Sequence, residues 1–131
     1  MRVLALDYGS ARCGCALSDP SGTLATPLGA VERPGTRAGL ARIAAIVRER
    51  EAERVVVGLP LTLRGDEGSQ AIETRAFAAR LARAVKVPVE MHDERLTTRQ
   101  ARAGHGVTEL DSRAAAHLLD AYLAAVARPG L

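Results

Sequence analysis

Tryptophan is absent from this sequence, and its aromatic residues amount to Tyr8, Phe77 and Tyr122. Phe77 and Tyr122 sit within apolar helical stripes and are expected in the core, so base recognition by a stacking platform is disfavoured. Cysteine is limited to Cys13 and Cys15. Two are too few for a disulfide scaffold, and a lone C-x-C lacks the second ligand pair of a structural zinc site, so both read as strand side chains. The three histidines show no zinc spacing either, and no nucleophile elbow is present. Although 47% of the residues are hydrophobic, no apolar run approaches the roughly 20 residues needed to span a bilayer. Nor does Met1 lead into a basic region followed by an apolar stretch and a small-residue cleavage site. A soluble, cytoplasmic protein with no membrane partner is the expectation.

Lysine occurs once, at position 86, and every other one of the 18 basic residues is arginine. Arginine suits bidentate phosphate recognition, but the codon bias of a GC-rich genome accounts for most of this excess. The formal charge of +3 and pI near 9.4 suit an anionic partner and argue only weakly for nucleic acid.

What is present is a chain of 131 residues, long enough for one domain, 1–131, with a hydrophobic core and too short for a second lobe of similar size. Apolar periodicity divides it into alternating elements. Arg2 to Asp7 contains four consecutive apolar residues and reads as a central strand covered on both faces. A turn through Gly9 and Arg12 leads to a second strand, Cys13 to Ser18, and Asp19-Pro20-Ser21-Gly22 turns into a third, Thr23 to Val31. Short turns of this kind join antiparallel strands. Leu40, Ile43, Ala44 and Val47 recur at helical spacing behind Thr36, a plausible N-cap. Arg54 to Leu59 is a β-branched strand stopped by Pro60. Thr74, Phe77, Ala78, Leu81 and Val85 make one stripe of a helix from about Ser69 to Val85, and Val87 to His92 is a fifth strand. A short helix is expected after Thr97 and Thr98, and a last one from near Asp111 to Ala127, with Ala115, Leu118, Leu119, Tyr122 and Val126 facing the core. The expected architecture is α/β, a mixed five-stranded sheet with helices on both faces.

Chemistry must come from particular residues. Asp7 closes an apolar strand at the mouth of the sheet, where α/β proteins bind ligands. Glu94 follows strand five in the same kind of place. Asp111 shares a helical face with Ala115, Leu118 and Tyr122, and so should face the sheet. Three carboxylates at about 5 Å would repel by roughly 3 kcal/mol per pair at an effective dielectric near 20, a cost that a hard divalent cation removes. Mg²⁺ or Mn²⁺ takes oxygen ligands and activates water against a phosphodiester with no protein nucleophile. Each acid has a plainer reading: a helix cap for Asp111, a solvated charge paired with Arg95 for Glu94, and bonds to turn amides for Asp7.

Leu6-Asp7-Tyr8-Gly9 with Arg12, Gly14 and Ala16-Leu17-Ser18-Asp19 resembles the opening signature of the YqgF family, also called RuvX. Val57-Gly58-Leu59-Pro60-Leu61 with Gly65 and Glu67 is similar to its second block. Asp93-Glu94-Arg95-Leu96-Thr97-Thr98, then Asp111-Ser112 with Ala114-Ala115, Leu118-Leu119 and Tyr122-Leu123, follow in the family's order. The four blocks cover nearly the whole chain. The resemblance implies a ribonuclease H-like fold related to RuvC-type Holliday junction resolvases, with Asp7, Glu94 and Asp111 as the catalytic, metal-holding acids and Asp93 and Glu67 as alternates. It further implies 5′-end maturation of 16S ribosomal RNA or cleavage of branched DNA as the activity. The segment from Arg99 to Leu110 departs from the pattern in looking shorter and less basic.

Arg12 and Arg95, each beside an acid, are candidate phosphate contacts, with screening of that acid as an equal alternative. His117 reads as a partly exposed helix side chain and not a general base. The main rival is a noncatalytic nucleic-acid-binding domain of the same fold. A second is a nucleotide-binding lobe, since Asp followed by Gly after a first strand also begins the actin and hexokinase ATPases, but these bind nucleotide between two lobes. Mg²⁺ against Mn²⁺, RNA against junction DNA, and monomer against homodimer stay open at this level.

Overall fold

A computed structural model describes residues 1–62, 64–93 and 107–126, the last group with side chains from Arg113 onward. Strands β1 (Val3–Tyr8), β2 (Arg12–Ser18) and β3 (Ala25–Glu32) form an antiparallel meander. Helix α1 (Arg37–Glu49), strand β4 (Arg54–Leu59), helix α2 (Ser69–Ala84), strand β5 (Val89–Asp93) and helix α3 (Val107–Val126) follow. β4 joins β1 in parallel and β5 joins β4 in parallel, giving the sheet order β3-β2-β1-β4-β5. The mixed sheet with an antiparallel first half is therefore as the periodicity predicts.

Alternation along β1 sends Leu4, Leu6 and Tyr8 to one face, where they pack with Ile43 and Val47 of α1 and Phe77 and Leu81 of α2. Val3 and Ala5 face the other way, against Ala115, Leu118, Leu119 and Tyr122 of α3. Two apolar faces on one strand explain its uninterrupted apolar run. Cys13 and Cys15 are buried on the α1–α2 face as free thiols. On the α3 face the sheet offers small residues, Ala5 and Ala16, opposite Ala115, which lets the helix axis approach closely. Burying Leu118 and Leu119, each 0% exposed, stabilises that contact by roughly 1.5–3 kcal/mol per side chain.

The expected Thr36 cap is present, with its hydroxyl accepting from the Gly39 amide at 3.0 Å. α2 begins after Gly68 with no side-chain cap. α3 starts at Val107, four residues before the expected boundary. Residues 107–110 hold no Gly or Pro, so nothing in them stops the helix from gaining a further turn. Position 111 therefore lies inside the helix, and the N-cap reading of Asp111 falls. The short helix expected after Thr97 and Thr98 lies outside the described residues. Among the described residues no helix is long and apolar enough to cross a membrane.

Candidate active site

Asp7 is the next-to-last residue of the central strand and is only 2% exposed. By alternation with Val3 and Ala5 its side chain belongs to the α3 face. Across β2 its Cα partner is Gly14. Leu6 pairs with Val57 in the parallel β1–β4 ladder, so the next step sets Asp7 beside Gly58, and Gly58 in turn pairs with His92 of β5. The carboxylate is thus flanked on both neighbouring strands by residues without side chains. Everything that fills the α3 face elsewhere, Ala16, Val56 and Ala5 among them, is absent from this row.

His92 closes the row on the β5 side. Its ring meets Tyr122 of α3 edge-on, with centroids 5.9 Å apart. The Tyr122 hydroxyl accepts from Arg54 and donates to Glu90, each at 2.9 Å, and Arg54 also pairs with Glu90 at 3.0 Å. Sequence reading assigns Tyr122 to the core and misses this polar role. It also misses the meaning of Gly14 and Gly58, because the signal lies in strand register, not in local pattern.

On the opposite face Tyr8 stacks on Phe77, centroids 4.4 Å apart, and its hydroxyl donates to Glu73 at 2.9 Å. Burial, reinforced by the Glu73 carboxylate, pushes its phenol up to about 12. Tyr8 is therefore a neutral hydrogen-bond donor at physiological pH.

The two alternate acids have settings of their own. Glu67 receives both arms of the Arg75 guanidinium, at 2.8 and 2.7 Å, which holds its carboxyl below the usual range. Asp93 has the alternation parity of Val89 and Met91, which pack on the α1–α2 face, away from Asp7. Arg12 opens β2 and is the Cα partner of Glu32. His117 is exposed, as expected. Glu94 and Arg95 lie outside the described residues, as does the Asp111 side chain. Among the described residues no three His, Cys, Asp or Glu side chains form a cation site, and of the three candidate acids only Asp7 has its side chain among them.

Known proteins extend the resemblance. A protein of Anaeromyxobacter sp. (strain Fw109-5), described as a candidate pre-16S rRNA nuclease, is 47% identical over 132 aligned positions covering 94% of this chain and 96% of its own. A protein of the same description from Syntrophomonas wolfei is 37% identical and covers 94% of both chains. Among solved structures, Thermus thermophilus RuvC superposes with a TM-score of 0.59 at 20% identity, over 97% of each chain. That likeness supports a RuvC-like fold. Residues 1–125 match the sequence model of the RuvX family, described as Holliday junction resolvase. The chain belongs to the RuvX family.

Proposed function

We propose that the chain is a single-domain, cytoplasmic nuclease that hydrolyses phosphodiester bonds with Mg²⁺ or Mn²⁺ held by Asp7, Glu94 and Asp111. The observation that carries this is the setting of Asp7: a carboxylate 2% exposed, at the end of the central strand, flanked on both sides by glycines. Burying a carboxylate costs several kcal/mol unless positive charge compensates it. The donor set fits the cation, since three carboxylates supply hard oxygen ligands. When bound, one or two such ions polarise the phosphoryl group and activate water for attack.

The length of α3 and the position of Tyr122 support the participation of Asp111. Tyr122, near the helix C-terminus, reaches Arg54 and Glu90, which lie level with Val3 and Ala5 at the start of β1. Position 111 is eleven residues earlier, roughly 16 Å along the helix. Asp7 lies two to four strand residues beyond Ala5 and Val3, a rise of roughly 7–13 Å along β1. Position 111 stands one helical turn before Ala115, a residue that packs on the sheet. Glu94 follows β5, the strand whose His92 shares the Asp7 row. Arg12 and Arg95 would steady the substrate's phosphates.

The substrates that fit are the 5′ end of precursor 16S ribosomal RNA and branched DNA, both read through backbone phosphates and shape. Symmetric junction cleavage would call for a homodimer with two such sites. The test is cleavage of a precursor 16S RNA end, a four-way junction and linear controls by the wild type and Asp7→Asn, with each metal. Metal-dependent cleavage lost in Asp7→Asn, with the fold retained, is the expected result. Equal cleavage by both proteins would reject the reading, and binding of nucleic acid without any cleavage would favour the noncatalytic rival.

A further inference from the structure

A groove of about 670 Å³ opens between the end of β3 and the start of α1, with Ala30, Glu32, Arg33, Gly39 and Arg42 among its walls. Ala30 is the Cα partner of Gly14, which is the partner of Asp7. Ala30 therefore lies two strand spacings from Asp7, roughly 10 Å between Cα positions, and the α1 wall of the groove stands on the other face of the sheet from the Asp7 carboxylate. Its lining holds two exposed arginines, Arg33 and Arg42, and one exposed acid, Glu32.

Arg33 adopts φ 44°, a left-handed conformation in which any side chain other than glycine or asparagine is strained. The conformation is held firmly. Its amide donates to Ala11 O at 2.9 Å, and its carbonyl accepts from the Thr36 amide at 3.1 Å and the Thr36 hydroxyl at 2.8 Å. The backbone here favours glycine, yet the residue is arginine, and the described ion pairs use neither Arg33 nor Arg42. Structural need explains the bend at this position and leaves the side chain unexplained.

We propose that this groove binds a backbone phosphate of the nucleic acid flanking the cleaved bond, through the guanidinium groups of Arg33 and Arg42; the inference rests on the nuclease reading above. A guanidinium presents paired donors that match two phosphate oxygens. Contacts of this kind position the substrate without reading its sequence.

Full-length wild type, Arg33→Gly and Arg42→Gln are titrated by fluorescence anisotropy with a labelled four-way junction and a labelled RNA stem, in EDTA, across a salt series. Each substitution is expected to weaken binding several-fold, alike for different sequences, and to flatten the salt slope by about 0.9 on duplex DNA. Arg33→Gly is expected to melt no lower than the wild type, because glycine suits the backbone. A residue kept for structure would behave oppositely, losing stability and keeping affinity. Unchanged affinity and slope in both variants, with a wild type that binds and cleaves, would overturn the groove and leave the nuclease reading intact. A wild type that binds neither nucleic acid would overturn both. If Arg33→Gly fails to fold, Arg42→Gln, on an exposed helix face, decides alone.

Discussion

The Tyr122 hydroxyl donates to a Glu90 carboxylate oxygen at 2.9 Å, which fastens the C-terminal end of α3 to β5. Arg54 completes the triangle, donating to the same hydroxyl and pairing with Glu90. Burial and then Glu90 raise the phenol's pKa against the opposing pull of Arg54. Apolar packing alone lets a helix slide over a sheet, whereas directional bonds select one register. α3 also carries position 111, so this register bears on the proposed site.

Tyr122→Phe keeps the ring against His92 and removes both hydrogen bonds. Unfolding in urea is expected to show a loss of about 1–3 kcal/mol. Cleavage measured on fully folded protein is expected to fall as well, with a higher metal concentration needed for half-maximal rate. Loss of stability with unchanged metal dependence would show that the triangle serves only the fold.

Gly58→Val adds a branched side chain to the α3 face beside Asp7. Valine suits a buried strand, so the expected loss of stability is small. Cleavage is expected to drop by on the order of a hundredfold, because small displacements at a reacting centre carry penalties of that size. Full activity would mean that the glycine row is not part of the site.

Gly39→Ala reverses the usual helix rule. In an exposed helix the change stabilises by about 1 kcal/mol. Here a Cβ would drive into the Arg33 carbonyl oxygen and stand 2.7 Å from Pro34 Cα. Both neighbours are backbone and cannot move aside cheaply, so a net loss of about 1–3 kcal/mol is expected. A melting temperature above that of the wild type would refute the clash.

The Asp19 carboxylate accepts from the amides of Leu24 at 3.0 Å and Thr23 at 2.8 Å, and from the Ser21 hydroxyl. These bonds, led by the Leu24 amide, hold its pKa far below the ordinary range. A depressed carboxylate contributes stability that is present above its unfolded pKa of about 3.9 and is lost as pH falls through the folded value. The melting-temperature gap between wild type and Asp19→Ala should therefore be constant above pH of about 5 and shrink below about 4. A gap that grew on acidification would contradict this account of the turn.

Local pattern determined much of the molecule. Period-two alternation and apolar runs are properties of neighbours in sequence, and they foretell the five strands and the core stripes of α1 and α2. Thr36 as a cap needs only the three residues after it. Asp7 at the end of a two-faced strand is equally visible, since each such feature is decided within one turn or one pleat.

Tertiary structure decided what depends on register between distant strands. Asp93 and Asp7 look alike as strand-end acids, but pairing through β4 puts them on opposite faces of the sheet. Gly14 and Gly58 gain meaning only when both ladders bring them beside Asp7. Tyr122 is apolar by pattern and polar by placement, because Arg54 and Glu90 reach it from 68 and 32 residues away. A side chain's face is written locally, while its company is set by the ladders and the direction of α3, which no window of sequence contains.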